Sequence, residues 1–516
     1  MTTFQYDFAA NHKNSAFQGK VDFPTGVFIN NEFSSGSTGK SIDVINPTTS
    51  NTVTKISEGT AEDVNRAVAA AHDAFENSWG LNVHGTERGR LLVRLADLME
   101  KHADELAALE SLDNGKPFKF ARGFDIPEAA ANFRYFGGWA DKIQGSTIEV
   151  GSELMAHTRK EPIGVCGSII PWNFPLLMFV SKQDLGRSRW VSNYQQQSWK
   201  IAPAIATGNT IVIKPSEITP LTALRMASLI KEAGFPAGVI NIVVGYGQTV
   251  GNAITDHSGI EKVAFTGSTA VGKLVMKAAA NNVKKVTLEL GGKSPAIVYA
   301  DANLENAIQS TAFGIWFNSA QCCCAGSRIY VEESVYDDFV KGFKQHTDQL
   351  KSGDPFDDVF FGPVVSETQQ SRVNKLIESG KRDAKVIECG EESKLNGYFV
   401  RPRIFLDAPA ECEIQRTEIF GPAVTITKFS KDTDIVKIAN DTEYGLAASV
   451  FTENINKAHK TAHAIKAGTV WINQHNTLTK NVPFGGYKQS GVGREMGSEV
   501  LNNYLQCKSV FTKFTQ

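Results

Sequence analysis

The spacing of apolar residues along this chain predicts two long helices followed by a run of short strands. From Thr60 an alanine-rich stretch continues at helical spacing to about Trp79, and Thr60 with Glu62 and Asp63 supplies a start signal. A second helical pattern runs over 87–112, with Leu91, Leu92, Leu95, Leu98 and Met99 on one face; Asp113-Asn114-Gly115-Lys116-Pro117 ends it. After residue 160 short apolar runs take over at 163–170, 210–213, 239–244, 263–265 and 286–290. Between them 220–233 reads as a helix closed by Gly234 and Pro236. Apolar strands alternating with helices predict an α/β fold whose parallel sheet is covered on both faces. A second series begins near Ser294 with 295–299, so two such units are expected.

One stretch breaks this rhythm. Residues 181–198, SKQDLGRSRWVSNYQQQS, are polar and basic with no apolar period, and they part PLLMFV from WKIAPAIATG.

Composition narrows the functional classes. A chain of 516 residues has room for two or three domains. Its 42% hydrophobic and 21% charged residues are ordinary for a soluble globular protein, and a net charge of -2 gives no footprint for nucleic acid. No apolar run is long enough to span a membrane. Residues 1–24 lack an apolar signal core, and Asp7 and Asp22 interrupt any transit-peptide character, so a cytoplasmic location is expected. Seven cysteines, three of them adjacent at Cys322, Cys323 and Cys324, make a poor disulfide framework. No Cys/His spacing suits zinc, so reduced thiols and no metal are expected.

Several short motifs carry chemistry, each with a plainer alternative. QCCCAGSR is a small-residue turn between an apolar helix and the strand 329–331. A thiol there could face a cleft, with backbone N–H groups favouring the thiolate; equally, three cysteines could pack as small hydrophobes. In LELGGKSP, Glu289 stands between leucines at a strand end, where burial would raise its pKa into the range of a useful base; a surface glutamate is the alternative. FTGST, at 265–269, is strand, glycine turn and helix, which lets a phosphate approach a helix start. In PWNFP the amide of Asn173 at a strand end can donate to an oxyanion, or simply make a turn. In KPSE, Lys214 and Glu217 could hold a ribose and phosphate, or form a solvated turn.

Taken in order, PWNFP, KPSE, FTGST, LELGGKSP, QCCCAGSR, EIFGP at 418–422 and PFGGYKQSG at 483–491 resemble the aldehyde dehydrogenase superfamily over about 28–510, on its non-acylating, fungal and animal acetaldehyde-type branch. The resemblance implies oxidation of an aldehyde to an acid with NAD(P). Cys323 would be the nucleophile and Glu289 the base that activates water. Asn173 and the Cys323 backbone N–H would form the oxyanion hole, and Lys200 and Glu495 would relay protons. Ile170, Trp172, Lys214, Glu217, Gly247, Gly267, Ser268, Glu418 and Phe420 would bind the cofactor. Phe174, Leu177, Met178, Trp199 and Phe317 would line an apolar tunnel for aliphatic or aromatic aldehydes. A carboxylate at Glu217 accepts from a ribose 2′-OH and repels a 2′-phosphate, so NAD is expected over NADP. The implied architecture has two Rossmann-like domains and a small β arm: 1–142 with 162–291 for NAD, 292–488 for catalysis, and 143–161 with 499–516 for oligomerisation. A homodimer or homotetramer follows, because such arms add strands to a neighbour's sheet.

The chain departs from the family pattern in places. Ala320 stands where glycine is usual, and would be strained if that position needs a positive φ. Thr417 replaces a common acidic residue. Relatives run straight from the PLLM helix into WKIAPA, without 181–198. A helix continued through eighteen residues would carry Trp199 about 27 Å along its axis, so the segment must loop out or the helix must break. Three readings stand: a short intron retained in the coding sequence, a genuine loop that leaves the site working, or an insertion that disables the tunnel. The last would make the chain a catalytically impaired relative with a structural or binding role.

Overall fold

The computed structural model describes residues 2–13, 15–176, 178 and 200–514. The segment 181–198, with Leu177 and Trp199, lies outside the described residues.

The parallel strands expected after residue 160 form one sheet. Its order is Gly491–Val492, Lys285–Glu289, Lys262–Thr266, Val165–Ile169, Thr210–Lys214, Ile240–Ile242, Val27–Ile29 and Glu32–Ser34. The strands from Lys285–Glu289 to Ile240–Ile242 pair in parallel, and the flanking ones antiparallel. Their residues are apolar on both faces because helices cover both. Ala61–Asn77 packs on one of them, started by the reciprocal Thr60–Asp63 capping box. The chain enters at Val165–Ile169, moves outward through Thr210–Lys214, then returns to the other side at Lys262–Thr266. That reversal opens a crevice beyond the carboxyl ends of the strands.

The second series builds a seven-stranded sheet. Its order is Lys385–Glu388, Arg403–Leu406, Ala423–Phe429, Arg328–Glu332, Pro295–Val298, Ala447–Phe451 and Thr469–Ile472, parallel except at Lys385–Glu388. In a third sheet Leu154–Pro162 is the central strand, pairing antiparallel with Leu505–Lys513 on one side and Thr147–Ile148 on the other. Within the 499–516 segment the helical turns Glu499–Tyr504 precede the strand Leu505–Lys513.

The pattern over 87–112 is two helices, not one. Gly85–Lys101 and Ala103–Asn114 meet at His102, whose φ of -103° and ψ of 21° leave the helical region. Both flanks keep apolar contacts across this break (Met99 and Leu106 are fully buried), so the period hides the bend. Gly115, at φ 81°, ends the second helix where a residue with a Cβ would be strained.

Candidate active site

One cleft gathers the carboxyl ends of the first sheet's strands and faces the loops of the second. It is lined by Pro171, Trp172, Asn173 and Met178, by Thr266, Gly267 and Ser268, by Glu289 and Gly291, by Cys323, and by Gln369, Arg372, Glu418 and Phe420. Nine of the residues expected from the sequence therefore meet there. Trp172 and Asn173 follow the strand Val165–Ile169, Gly267 and Ser268 follow Lys262–Thr266, and Glu289 ends its own strand.

Glu289 is buried at 1% exposure between Leu288 and Leu290. Neither of its carboxylate oxygens finds a hydrogen-bond partner among the described residues. Desolvation raises its pKa to about 8, opposed by the Cys323 thiol and by Lys200. Lys200 and Glu495 form a buried ion pair near it.

The cysteine turn is built quite differently. The helix Leu304–Trp316 ends in three consecutive residues at positive φ: Asn318 at 53°, Ser319 at 52° and Ala320 at 59°. Ala320 thus takes the conformation in which alanine is strained. Hydrogen bonds hold this path at each step. Gln321 N donates to Asn318 O at 3.0 Å, Ala325 N to Cys322 O at 3.1 Å, and Ser319 Oγ to Gly362 O at 2.8 Å. Asn318 Nδ2 donates to Asn173 O, and Asn173 Nδ2 returns a bond to Gln321 O, both at 2.9 Å. Asn173 is thus fastened to the turn, and its amide has a second N–H to offer. Cys322 and Cys324 are buried with their sulfurs 3.6 Å apart, which fits small hydrophobes; Cys323 is half-buried and opens onto the cleft. Hydrogen bonding with the two flanking thiols, then burial and the Glu289 carboxylate, push the Cys323 thiol well above its ordinary pKa.

The other end of the cleft holds Glu418 and Phe420. Glu418 accepts from Gly292 N at 2.9 Å, and burial raises its carboxyl to about 7. A Cβ on Gly291 would come within 2.3 Å of the Glu418 carboxylate, so glycine is required for this approach. Phe420 meets Trp172 edge-on at 5.3 Å. The sequence reading missed what holds this loop. Gln369 Nε2 donates to Phe420 O at 2.7 Å, and Arg372 donates to Ile419 O and Glu418 O at 2.7 and 2.6 Å.

Four expected cofactor residues do not line the cleft. Lys214 is buried and pairs with Glu217 at 2.8 Å, Ile170 N donates to Lys214 O at 3.1 Å, and Gly247 begins the short turn Gly247–Gly251. Of the expected tunnel residues, Met178 lines the cleft, and Phe174 stacks on Phe317 at 6.0 Å. Phe120, Phe124 and Phe313 complete that aromatic wall around Phe317. Phe120 precedes, and Phe124 lies within, a π-helical turn, Ala121–Asp125, that no apolar period announced. Behind Phe174, 4.2 Å from its ring centre, lies the Lys116 ammonium, fully buried with Glu110 and Asp125.

A family model described as the aldehyde dehydrogenase family matches residues 33–184 and 190–510. An aldehyde dehydrogenase from Alternaria alternata is 52% identical over 495 residues, covering 95% of this chain and 96% of its own. Retinaldehyde dehydrogenase 3 from Homo sapiens is 48% identical over 494 residues, covering 95% and 93%. Among solved structures, the NAD+ complex of an aldehyde dehydrogenase from Bacillus cereus is similar with a TM-score of 0.90 at 45% identity, covering 95% of this chain and 97% of that one.

Proposed function

The chain belongs to the aldehyde dehydrogenase family, and we propose that it oxidises an aldehyde to a carboxylic acid through a thioester on Cys323. The observation that carries this reading is the pairing, in one cleft, of a half-buried thiol with a dry, unpartnered carboxylate, Glu289.

The resting thiol is held protonated, so it needs a base, and Glu289 beside it has a pKa near the working range. With the proton on Glu289, the sulfur adds to the aldehyde carbon and the carbonyl electrons move to oxygen. The second N–H of Asn173 and the Cys323 backbone N–H stabilise that oxyanion, at about 3 kcal/mol per donor. When bound, NAD, the family's cofactor, would supply the acceptor for the hydride of the thiohemiacetal. Glu289, once deprotonated, takes a proton from water as its oxygen attacks the thioester, and Cys323 departs as thiolate. Lys200 and Glu495 carry that proton onward. In sum, RCHO, NAD+ and water give RCOO−, NADH and two protons. A water-activating base favours hydrolysis over transfer to another acyl acceptor.

The residues fit the cofactor. Glu418, free to approach only because residue 291 is glycine, suits the nicotinamide ribose, with Phe420 and Trp172 beside it. Gly267 and Ser268 suit the pyrophosphate, and Lys214 with Glu217 the adenosine ribose, with Ile170 and Gly247 beside them. Glu217 supports NAD over NADP. The apolar Met178 lining the cleft supports an aliphatic or aromatic aldehyde, with acetaldehyde the first to assay. We assign 1–142 with 162–291 to cofactor binding and 292–488 to catalysis. The 143–161 and 499–516 arm carries exposed Ile148, Leu154, Phe511 and Phe514 along an antiparallel sheet, which supports a homodimer or homotetramer. Among the described residues no helix is long and apolar enough to cross a membrane.

The test is NADH formation with acetaldehyde, for the chain with and without 181–198, beside Cys323→Ala. Activity in both chains and none in the variant is expected. No activity until 181–198 is removed would mean that the full chain is an impaired relative; a clear NADP preference would overturn the Glu217 argument.

A further inference from the structure

His475 lies outside the cleft, yet it grips the loop that carries the nucleophile. It follows the strand Thr469–Ile472 of the second sheet and is completely buried. Its Nε2 is 3.0 Å from the carbonyl oxygen of Cys324, and its Nδ1 is 3.0 Å from Ser449 Oγ in the strand Ala447–Phe451. A carbonyl only accepts, so Nε2 carries the proton. In a neutral ring Nδ1 must then accept from the Ser449 hydroxyl. Burial keeps the ring neutral, with a pKa lowered to about 4. The tautomer is therefore dictated by the two partners.

The ring also closes the loop sterically. Gly326 N donates to Gly314 O at 3.2 Å, joining the end of the Leu304–Trp316 helix to the start of the Arg328–Glu332 strand. His475 packs against that junction. A Cβ on Gly314 would come within 2.6 Å of its ring, and one on Gly326 within 3.0 Å. The next residue, Asn476, accepts from Cys324 Sγ at 3.2 Å. Both ends of the loop and the residue after the nucleophile are thus held from one side.

We propose that His475 is a positioning residue for Cys323: by donating to the Cys324 carbonyl from a ring whose orientation Ser449 sets, it fixes the turn that aims the thiol at Glu289 and the Cys323 N–H at the oxyanion. This rests on the reading of Cys323 as the nucleophile. It places no proton on His475 during turnover.

Two substitutions separate this hydrogen bond from mere filling of space. In His475→Gln the side-chain amide reaches about where Nε2 stands and still donates to Cys324. In His475→Asn the amide reaches about where Nδ1 stands, keeps the Ser449 partner and leaves the Cys324 carbonyl bare. Both lose the ring's bulk. We expect kcat to fall about tenfold in His475→Asn and by no more than about threefold in His475→Gln, with KM for NAD unchanged in both. The rate of Cys323 alkylation by iodoacetamide, read across pH, should follow the same order. Ser449→Ala frees the ring to take the other tautomer and should show a weaker effect of the same sign; it carries the test if His475→Asn does not fold. Equal losses in the Gln and Asn variants, or a wild-type rate in the Asn variant or, where that fails to fold, in Ser449→Ala, would overturn the proposal. If the wild-type chain forms no NADH, the oxidation reading fails by itself, and the alkylation rates still decide the role of His475.

Discussion

The two walls of the cleft follow opposite plans. On the nucleophile's side, the residues from Asn318 to Gly326 are tied by hydrogen bonds to one another, to Asn173, to Gly362, to Gly314 and to His475. On the base's side, Glu289 sits between two leucines with both oxygens bare. The difference reflects what each group must do. Bond formation at sulfur depends on distance and angle, and a small misplacement costs orders of magnitude, so that wall invests in rigidity. A base depends on proton affinity, and affinity is raised most simply by withholding water and donors, so that wall invests in dryness.

The comparison breaks hardest at Cys323. Cys323→Ala should abolish turnover, by at least about 10⁴-fold, because no other described thiol lines the cleft. Its neighbours cannot substitute while the turn holds them buried. Steady-state NADH formation measures this; appreciable residual oxidation would mean that the rigid wall is not so rigid.

Glu289→Gln attacks the other wall and should cost about 10²- to 10⁴-fold in kcat. Loss should fall on both steps that use the base, attack by Cys323 and hydrolysis, so stopped-flow NADH absorbance should show a slowed first turnover as well as a slow steady rate. Wild-type kcat should rise with pH through about 8, as Glu289 loses its proton, and the variant should lack that limb. Stability should move the other way. A carboxylate that holds its proton more tightly when folded makes the fold less stable as pH rises from 4.5 to about 8. Glutamine cannot ionise, so the variant should be more stable than wild type by roughly 2–4 kcal/mol above pH 8, and by little near pH 5. Thermal melts at both pH values check this. A variant with no gain at pH 8 would mean that burial does not hold the resting Glu289 carboxyl protonated.

Asn173→Ala joins the two walls. It removes an oxyanion donor and the tie to Gln321, and should lower kcat by about 10²- to 10³-fold with a smaller change in KM. Equal changes in kcat and in the melting temperature of the turn-disrupting His475→Asn variant and this one would assign Asn173 to the turn alone.

These two plans were unequally legible in the residues. Glu289 between leucines at a strand end, and cysteines in a small-residue turn, are local patterns, and their chemistry follows from a few neighbours. The parallel strands were legible for the same reason, since apolar runs report burial on both faces. His475, Gln369 and Arg372 were not, because each acts on a backbone carbonyl far away in the chain. A carbonyl has no sequence identity, so nothing in the local pattern marks the residue that binds it. The break at His102 was hidden because the core contacts on either side keep the helical period. Leu177 and Trp199, named for the tunnel, lie outside the described residues.

The smallest effect concerns the strain in the rigid wall. Ala320 is 2% exposed at φ 59°, while Ala325, 7% exposed in the same turn, does not take a positive φ. Replacing either by glycine removes one buried methyl, worth about 0.8 kcal/mol, and adds unfolded-chain freedom worth about 0.4–1 kcal/mol. Only Ala320→Gly also releases the left-handed penalty, about 1–2 kcal/mol. The gains and losses at Ala320 nearly cancel, so the substitution should leave stability almost unchanged, whereas Ala325→Gly should lower it by about 1–2 kcal/mol. The gap between the two melts, rather than either value, measures the strain, because burial and chain entropy are common to both. If both glycines destabilise equally, the turn stores no strain at Ala320. Its shape would then be held at no cost, and the turn's hydrogen bonds with His475, Asn173 and the Gly362 carbonyl would not be working against the backbone.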